Sequence, residues 1–403
     1  MLRTGDPRNR RIPTRTTNGS GATEQVAGTT DSRDHGDDSA ELTVVMFPDS
    51  TGSNPYQRKL QSGVESHGAT VELSDYGRYS SLLSDVLGGG RPDVVHLHWL
   101  SKCFVTDQSW LTAVLGLRLL IELSILRLFG VRTVWTVHNQ FEHEERSPGV
   151  EFAVKLVAIR LIPGLIVHCR SAREIVVDAF SLGKRQRRKL TVVPHGSYRG
   201  SYPDDIGRGD ARDRLGYTDG ETVFCYFGQI RSYKNVPGLI ETFGGLEDPN
   251  SRLLVVGNPQ DESLGSVVES RARADDRVET VLRFVSAEVV QLYMNAADVV
   301  VLPYDSILTS GSAVLAMSFG RPVIAPDVGC VGELLDGGGG ISYDPDDPDG
   351  LSAAIRTALE ADLRSMSERS RRIATELDSA DIGGQTLTVY RGDSSSTGQC
   401  TER

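Results

Sequence analysis

Short apolar runs alternate with amphipathic stretches along the chain from residue 41 onward. In the first half, runs rich in β-forming residues predict strands at 42–47, 69–73, 93–97, 132–137, 164–168 and 190–193. Apolar positions three or four residues apart predict helices near 55–67, 78–88, 108–129, 150–161 and 171–181. Because strands and helices alternate at this spacing, we expect parallel strands joined by crossover helices.

The same alternation returns in the second half. Strands are predicted near 222–227, 252–257, 278–282, 298–302 and 322–325, and helices near 235–246, 261–274, 287–296, 311–320 and 348–360. The fold class is therefore α/β, with two doubly wound, Rossmann-like domains facing each other across a cleft. Ligands of such sheets bind at the carboxyl ends of the strands, so the cleft is the expected active site.

Composition shifts predict the domain boundaries. They are a disordered tail at 1–40, an N-terminal domain at 41–200, a polar linker at 201–221, a C-terminal domain at 222–375, a crossover helix at 376–391 and a frayed tail at 392–403. Residues 1–40 lack the apolar core of a secretory signal. The apolar stretch 111–129 carries Arg118, Glu122 and Arg127, which favours a helix of a soluble domain over a membrane span.

Charge and cysteine usage exclude further classes. The net charge of -11 and the pI near 5.3 argue against a nucleic-acid partner, because no basic face dominates. The five cysteines are scattered and show no CxxC spacing. We therefore expect reduced thiols in a cytoplasmic protein, with neither a zinc site nor a disulfide framework.

A phosphate-binding turn is predicted where an apolar run ends at Gly228. Arg231 and Lys234 follow within six residues, and a helical pattern begins near Asn235. A glycine lets the backbone approach a ligand closely, and a helix start offers free N–H groups to an anion. The chain has only six lysines, at 59, 102, 155, 184, 189 and 234. Because lysine is so rare in this protein, its presence at position 234 favours a function over a solvent-exposed residue without one. The alternative is a solvated Arg and Lys at a helix start.

A second such turn follows the strand that ends near residue 302. Thr309, Ser310 and Ser312 offer hydroxyl groups at a helix start, and Gly311 admits close contact. Two turns at strand ends of one sheet are suited to the two phosphates of a nucleotide diphosphate. The alternative is an ordinary Ser/Thr helix cap.

Several segments resemble glycosyltransferases of the GT-B fold, most closely the group 1 or family-4-like set. They are 226–235, 253–259 and 302–325 in the second half, and 136–139, 192–196 and 381–390 elsewhere. The resemblance implies that the C-terminal domain binds a nucleotide sugar and that the N-terminal domain binds the acceptor. Arg231 and Lys234 would then hold the donor diphosphate and offset its charge, so no metal is expected. Arg283 and Val285 fall where family members pack the nucleobase.

One family feature is missing. Many members carry two glutamates eight residues apart, and the corresponding positions here are Ile307 and Leu315. The grip on the donor would then come from 309–312, and Glu333 is a candidate for a ribose or sugar hydroxyl. Retention or inversion of the anomeric configuration stays open.

Histidines and aromatic residues follow the strands of the N-terminal domain. The resemblance implies that His138 lies near the donor sugar, so His138 is predicted to be catalytic together with Arg231 and Lys234. It would act as a donor to a sugar hydroxyl or as a general base; the alternative is a histidine that satisfies loop backbone groups. The acceptor-side candidates are Asn54, Tyr56, His98 and Trp99. Asp49, Glu142 and Glu144 are the carboxylates near cleft loops, and His195 belongs either to a turn or to the donor site.

A basic run at 184–189, read as a loop, suggests contact with anionic lipid beside the 111–129 helix, or else a solvated turn. We therefore expect a cytoplasmic glycosyltransferase, peripheral on the inner face of the cell membrane. It would move a sugar from a nucleotide diphosphate sugar to a glycan or lipid-linked acceptor. A GT-B nucleotide-sugar epimerase and a non-catalytic sugar-nucleotide-binding subunit are the alternatives, and a two-domain solute-binding protein ranks last.

Overall fold

The computed structural model describes residues 41–52, 54–75, 79–139 and 147–393. They contain two parallel β-sheets of six strands each, flanked by helices. The predicted tail at 1–40 lies outside the described residues, as do residues 394–403 of the predicted C-terminal tail.

The first sheet contains the strands of the N-terminal half. They are β1 Leu42–Phe47, β2 Ala69–Leu73, β3 Val94–Leu97, β4 Arg132–Thr136, β5 Gly164–Val167 and β6 Leu190–Val192. The helices are α1 Tyr56–Glu65, α2 Leu82–Gly88, α3 Ser109–Leu128, α4 Pro148–Leu161, α5 Arg170–Ala179 and α6 Lys184–Arg187. The central strands β3 and β5 are buried at every position because helices cover both faces of the sheet.

The second sheet repeats the scheme. Its strands are β7 Thr222–Phe227, β8 Ser251–Val256, β9 Val278–Val281, β10 Val299–Val301, β11 Val323–Pro326 and β12 Gly340–Tyr343. The helices after α6 are α7 Arg208–Leu215, α8 Val236–Gly244, α9 Glu262–Ala272, α10 Ala287–Ala296, α11 Gly311–Ser318, α12 Gly329–Leu335, α13 Gly350–Glu360, α14 Leu363–Glu376 and α15 Ser379–Arg391.

The strand orders determine where each sheet can bind a ligand. They are β2-β1-β3-β4-β5-β6 in the first sheet and β12-β11-β10-β7-β8-β9 in the second. The order reverses between β1 and β3 in the first sheet and between β7 and β10 in the second. A crevice opens at such a reversal, because the connections leave the two neighbouring strands toward opposite faces. Both predicted phosphate-binding turns, after β7 and after β10, lie at the reversal of the second sheet.

The predicted strands are all present, with bounds that differ by one or two residues. The strand β12 and the helices α6, α7 and α12 were not predicted. The first of these is partly exposed at the sheet edge and follows a run of glycines, so its apolar signal is weak. The interpretation of 184–189 as a loop was wrong at its start, since Lys184–Arg187 forms a short helix. The predicted linker contains α7, whose buried Arg212 pairs with Asp298 beside β10.

The last helix packs on the first sheet, as the resemblance implied. Two glycines allow α15 to lie directly on α1: a Cβ at Gly63 or at Gly383 would overlap the backbone of the other helix. The Tyr390 hydroxyl shares a hydrogen bond of 2.6 Å with Nδ1 of His96. The helix α15 therefore packs against the N-terminal half of the molecule.

The expectation of reduced thiols was wrong for two cysteines. Cys169, which caps α5 below the first sheet, forms a disulfide with Cys330 in α12 of the second half. The pair is 161 residues apart in sequence, so no local spacing could reveal it. Cys103 and Cys225 are buried.

Candidate functional site

A cavity of about 910 Å³ lies between the two sheets. The side of the first sheet contributes Ser50, Asn54, Trp99, Lys102, His138 and Lys155, and the side of the second contributes Gly228, Arg231, Lys234, Gly311 and Ser312. These residues follow the carboxyl ends of β1, β3, β4, β7 and β10 or lie on α4. The structure thus brings residues of both halves to one cleft, as the alternating pattern predicted.

Gly228 is required by the geometry of the turn after β7. Its φ is 143°, a conformation that side chains rarely allow. A Cβ on Gly228 would lie 2.7 Å from Oγ of Ser312, and a Cβ on Gly257 would overlap the Gly228 carbonyl. The two predicted turns therefore meet at Gly228 and Ser312 and form one concave surface.

Two cations lie at this surface. Arg231 precedes a single 3₁₀ turn, Ser232–Lys234, and Asn235 then adopts a left-handed conformation and caps α8 by accepting from the Gly238 N–H at 3.2 Å. Nζ of Lys234 lies 5.4 Å from the centre of the Tyr304 ring. Burial, and secondarily the charge of Arg231, lowers the pKa of Lys234 to about 8. A bound anion would relieve both effects.

The residues of the second predicted turn have two different roles: one caps a helix, and others line the cavity. Ser310 is buried and caps α11: its Oγ accepts from the Ala313 N–H at 3.2 Å and shares a hydrogen bond of 3.2 Å with the Tyr304 hydroxyl. This is the helix cap that the sequence allowed as the alternative. Gly311 and Ser312 line the cavity, whereas Ser310 and Thr309 are not among its lining residues.

His138 lies at the cavity wall on the side of the first sheet. Trp99 adopts a left-handed conformation with φ of 39°, and its indole stacks on the His138 ring at 4.5 Å and 13°. A non-glycine residue in this region is strained, so the surrounding structure must hold it there. The stack fixes the plane of the imidazole that faces the cavity.

The tautomer of His138 can be inferred from its hydrogen bond with His98. Nε2 of His138 shares a hydrogen bond of 3.1 Å with Nδ1 of His98, and Nε2 of His98 is buried with no protein partner among the described residues. Among buried polar groups, a hydrogen-bond donor without a partner is rarer than an acceptor without one. The arrangement therefore favours a proton on His98 Nδ1, which leaves the proton of His138 on its other nitrogen. Burial also holds the pKa of His138 well below its ordinary value, so the ring is a neutral donor.

Tyr56 and His98 were predicted to face the acceptor, and both are buried behind the cavity wall. Tyr56 lies at the centre of a cluster of histidines, with ring centres of His98, His138, His168 and His195 within 5.7 Å. His195 lies in the irregular segment after β6, and its Nδ1 shares a hydrogen bond of 2.9 Å with the Gly196 carbonyl. His168, at the end of β5, was not singled out from the sequence.

Asn54 connects the two halves of the cavity. Its Oδ1 accepts from the Tyr198 hydroxyl and from the Tyr56 N–H, both at 2.9 Å. A Cβ on Gly311 would lie 2.9 Å from the same Tyr198 hydroxyl. The loop after β1 thus contacts the second phosphate-binding turn through Tyr198, which sequence reasoning missed.

Three donor candidates lie elsewhere. Arg283 is exposed and Val285 half-buried, and neither lines the cavity. The carboxylate of Glu333 accepts from the backbone N–H groups of Arg170 and Ser171 at the start of α5, so in this conformation it connects the halves instead of facing the cleft. Asp49 accepts from the Thr51 N–H and does not line the cavity, while Glu142 and Glu144 lie outside the described residues.

Two lysines of the cavity were also missed. Lys102 lies in a 3₁₀ turn, Leu100–Cys103, and Lys155 lies on α4. The scarcity of lysine in the sequence could have pointed to these two residues, because three of the six lysines of the chain line this cavity. No carboxylate is among its lining residues in the described part of the chain, and no three His, Cys, Asp or Glu side chains there are placed to hold a metal ion.

Known proteins resemble both the sequence and the fold. The family model for "Glycosyl transferases group 1" matches residues 221–361. The GDP-mannose:glycolipid 4-beta-D-mannosyltransferase of Xanthomonas campestris pv. campestris is 28% identical over 291 residues, which are 71% of this chain and 74% of that protein. The matched model spans β7 to α13 and so contains both predicted phosphate-binding turns.

Solved structures share the two-sheet architecture. Sucrose-phosphate synthase from Thermosynechococcus elongatus superposes with a TM-score of 0.67 at 18% identity, covering 87% of this chain and 98% of that one. HepE of Anabaena in complex with UDP-glucose gives 0.64 at 17% identity, covering 87% and 99%. These findings support a group 1 glycosyltransferase with the GT-B fold.

Proposed function

We propose that this enzyme transfers a sugar from a nucleotide diphosphate sugar to a glycan or lipid-linked acceptor, without a metal ion. The observation that carries the proposal is the joined surface at Gly228 and Ser312, with Arg231 and Lys234 beside it. Free N–H groups and cations at the reversal point of a parallel sheet suit a diphosphate. The relative from Xanthomonas uses GDP-mannose by name, and HepE was solved with UDP-glucose, so GDP- and UDP-sugars are the first donors to test.

The cations have a chemical task in such a transfer. As the sugar leaves, negative charge builds on the diphosphate, and Arg231 and Lys234 offset it from fixed positions. His138, as a neutral donor, would orient a sugar hydroxyl near the reacting carbon. Two cations at the diphosphate can take the part that a divalent ion plays in other enzymes, which supports metal independence.

The lipid-linked acceptor is supported by an apolar surface on α3. Trp110, Val114, Leu117, Ile121 and Leu128 are spaced on one helix face and are 51–86% exposed. The opposite face of α3 is buried in the first sheet's core, through residues such as Leu119 and Leu123. We call this exposed face the α3 stripe. No helix in the described part of the chain is long and apolar enough to cross a membrane.

Positive charge lies at the C-terminal end of the α3 stripe. Nζ of Lys189 donates to the carbonyls of Ile159, Arg160 and Ile162 at 2.9–3.1 Å. Arg127, in the last turn of α3, donates to the Leu161 carbonyl at 3.1 Å, so this cation and Lys189 meet at the same end of α4. Burial first, and then the charges of Arg185 and Arg127, lower the pKa of Lys189. An apolar stripe flanked by cations is the pattern of a surface that rests on anionic lipid.

The diphosphate site is tested with the variants R231A and K234A. We expect each to slow transfer by about two orders of magnitude, because one preorganised charge contact contributes roughly 3 kcal/mol to such steps. Transfer and thermal shift are measured with GDP-mannose and UDP-glucose, with and without EDTA. R273A removes an exposed arginine on the far side of the same domain and is the matched control.

Near-native transfer in both cleft variants would contradict the assignment of the diphosphate site. Activity that is lost with EDTA and restored by Mg²⁺ or Mn²⁺ would contradict metal independence alone.

A further inference from the structure

Three of the six lysines of this chain line the cavity, and two of them lie on the wall where the acceptor would bind. The chain is acidic overall, yet the cavity is lined by Lys102, Lys155, Arg231 and Lys234, with no carboxylate among its described lining residues. The last two belong to the proposed diphosphate site. Lys102 and Lys155 lie on the opposite wall, beside His138, and the proposed donor chemistry gives them no task.

Lys155 is a buried, ion-paired residue of this wall. Its side chain is 1% exposed, and Nζ lies 2.6 Å from Oε1 of Glu151, which is equally buried. Removing two charges from water is costly, and an apolar pair of similar size would pack at least as well. A buried lysine at a ligand cavity therefore points to a function other than packing.

Lys102 is coupled to the same pair. Ser101, its neighbour in the 3₁₀ turn, donates to Oε1 of Glu151 at 2.7 Å. Nζ of Lys102 donates to Oγ of Ser50 at 3.1 Å and lies 5.0 Å from the centre of the Trp99 ring. The contact between Ser101 and Glu151 ties the turn that carries Lys102 to the helix that carries Lys155. The two ammonium groups are thus held on one rigid wall.

We propose that Lys102 and Lys155 form a second anion subsite, which recognises an acidic group on the acceptor. The group is a carboxylate of an acidic sugar or a phosphate, since both are anions that accept hydrogen bonds from ammonium groups. This inference rests on the proposed function, because it assigns the acceptor to the wall opposite the donor. It adds that a neutral acceptor is a poor substrate.

The test is a binding titration of the full chain saturated with GDP, which occupies the diphosphate site. Three probes differ in one group: octyl β-glucuronide carries a carboxylate, octyl β-glucoside 6-phosphate a phosphate, and octyl β-glucoside neither. We expect one acidic probe to bind at least about tenfold more tightly than the neutral one, as for a hydrogen bond to a charged group. Which acidic probe binds more tightly identifies the source of the anion.

Variants separate the subsite from the diphosphate site. K102Q should abolish the preference for the acidic probe and leave GDP affinity unchanged, while K59Q, which changes a half-buried lysine that donates to the Arg199 carbonyl, should keep it. Because K155Q alone would leave Glu151 buried without its partner, E151Q/K155Q replaces both charges, and thermal melting checks its fold. Loss of the preference in this double variant supports the subsite independently.

Equal binding of the three probes would overturn the proposal, as would a preference that survives in both K102Q and E151Q/K155Q. Weaker GDP binding in K102Q would also overturn it, since the lysine would then serve the donor. Failure of both GDP and UDP to bind the unchanged chain contradicts the proposed function instead, and the probes are then titrated alone to judge the subsite; if UDP binds and GDP does not, UDP replaces GDP in the titration.

Discussion

Lys234 combines two properties that rarely occur together. It is a cation at a proposed anion site, and burial together with Arg231 lowers its pKa to about 8. The free protein therefore begins to lose this charge near physiological pH. A diphosphate favours the charged form, so binding raises the pKa of Lys234 again.

The affinity for GDP should consequently depend on pH. Below about pH 8 Lys234 is already protonated and affinity should be constant. Above that value binding must take up a proton, so affinity should fall by up to about tenfold per pH unit. Calorimetry in two buffers with different heats of ionisation measures both the affinity and the proton uptake.

K234R is the matched variant for this titration, because a guanidinium stays charged over the whole range. Its affinity should change little with pH. A flat profile for the unchanged protein, with no proton uptake, would mean that Lys234 does not contact the diphosphate.

The helix α3 is apolar on two faces. The sequence interpretation took Arg118, Glu122 and Arg127 as signs of an ordinary amphipathic helix. In the structure Glu122 is buried, and Arg118 is half-buried with its Nε 3.9 Å from the Glu122 carboxylate. Two of the three charges therefore lie away from the α3 stripe, and the exposed face is more apolar than composition suggested.

The α3 stripe and the basic helix α6 should contribute differently to vesicle binding. W110Q/L117Q/L128Q should weaken binding to vesicles with anionic lipid at least about tenfold at any salt concentration, because apolar burial is not screened. K184Q/R185Q/R187Q/R188Q should weaken it at low salt only, since the Debye length shrinks to about 3 Å near 1 M. Lys189 is left unchanged because it caps α4. Sedimentation with vesicles gives both values.

V267Q/V289Q, on exposed positions of α9 and α10 in the other half, is the matched apolar control. Binding that neither set of changes weakens would show that this face does not meet lipid. Donor affinity should stay constant in all these variants, because the diphosphate site lies in the other sheet's half.

Two connections hold the halves of the molecule together. The helix α15 returns to α1 and places Tyr390 against His96. At another point α12 meets the start of α5, where Cys330 bonds Cys169 and Glu333 accepts from backbone N–H groups of Arg170 and Ser171. A carboxylate at a helix start is favoured by the helix dipole. The opening of the cleft is therefore constrained at two places, at α15 and at α12.

Reduction of the disulfide should lower the stability of the molecule. The closed loop spans 161 residues, for which chain entropy predicts about 5 kcal/mol as an upper figure. Thermal melting with and without dithiothreitol measures the change. The variant C169S/C330S should melt at the lower temperature in both conditions, so a further effect of the reductant on it, or none on the unchanged protein, would contradict the prediction.

Local signals were sufficient for the parts of this protein that are locally encoded. Alternating apolar runs predicted the two parallel sheets. Gly228, Arg231 and Lys234 predicted a glycine turn before a helix, because a positive φ and a helix start depend on neighbouring residues; its phosphate-binding role stays a prediction. Strand order is different, since it depends on crossovers between distant segments. It placed β7 beside β10 and thereby merged the two turns. Packing also moved Tyr56 and His98 behind the cavity wall, turned Glu333 toward α5, and paired Cys169 with Cys330. These contacts join residues tens to hundreds of positions apart, and no periodicity or spacing along the chain encodes them.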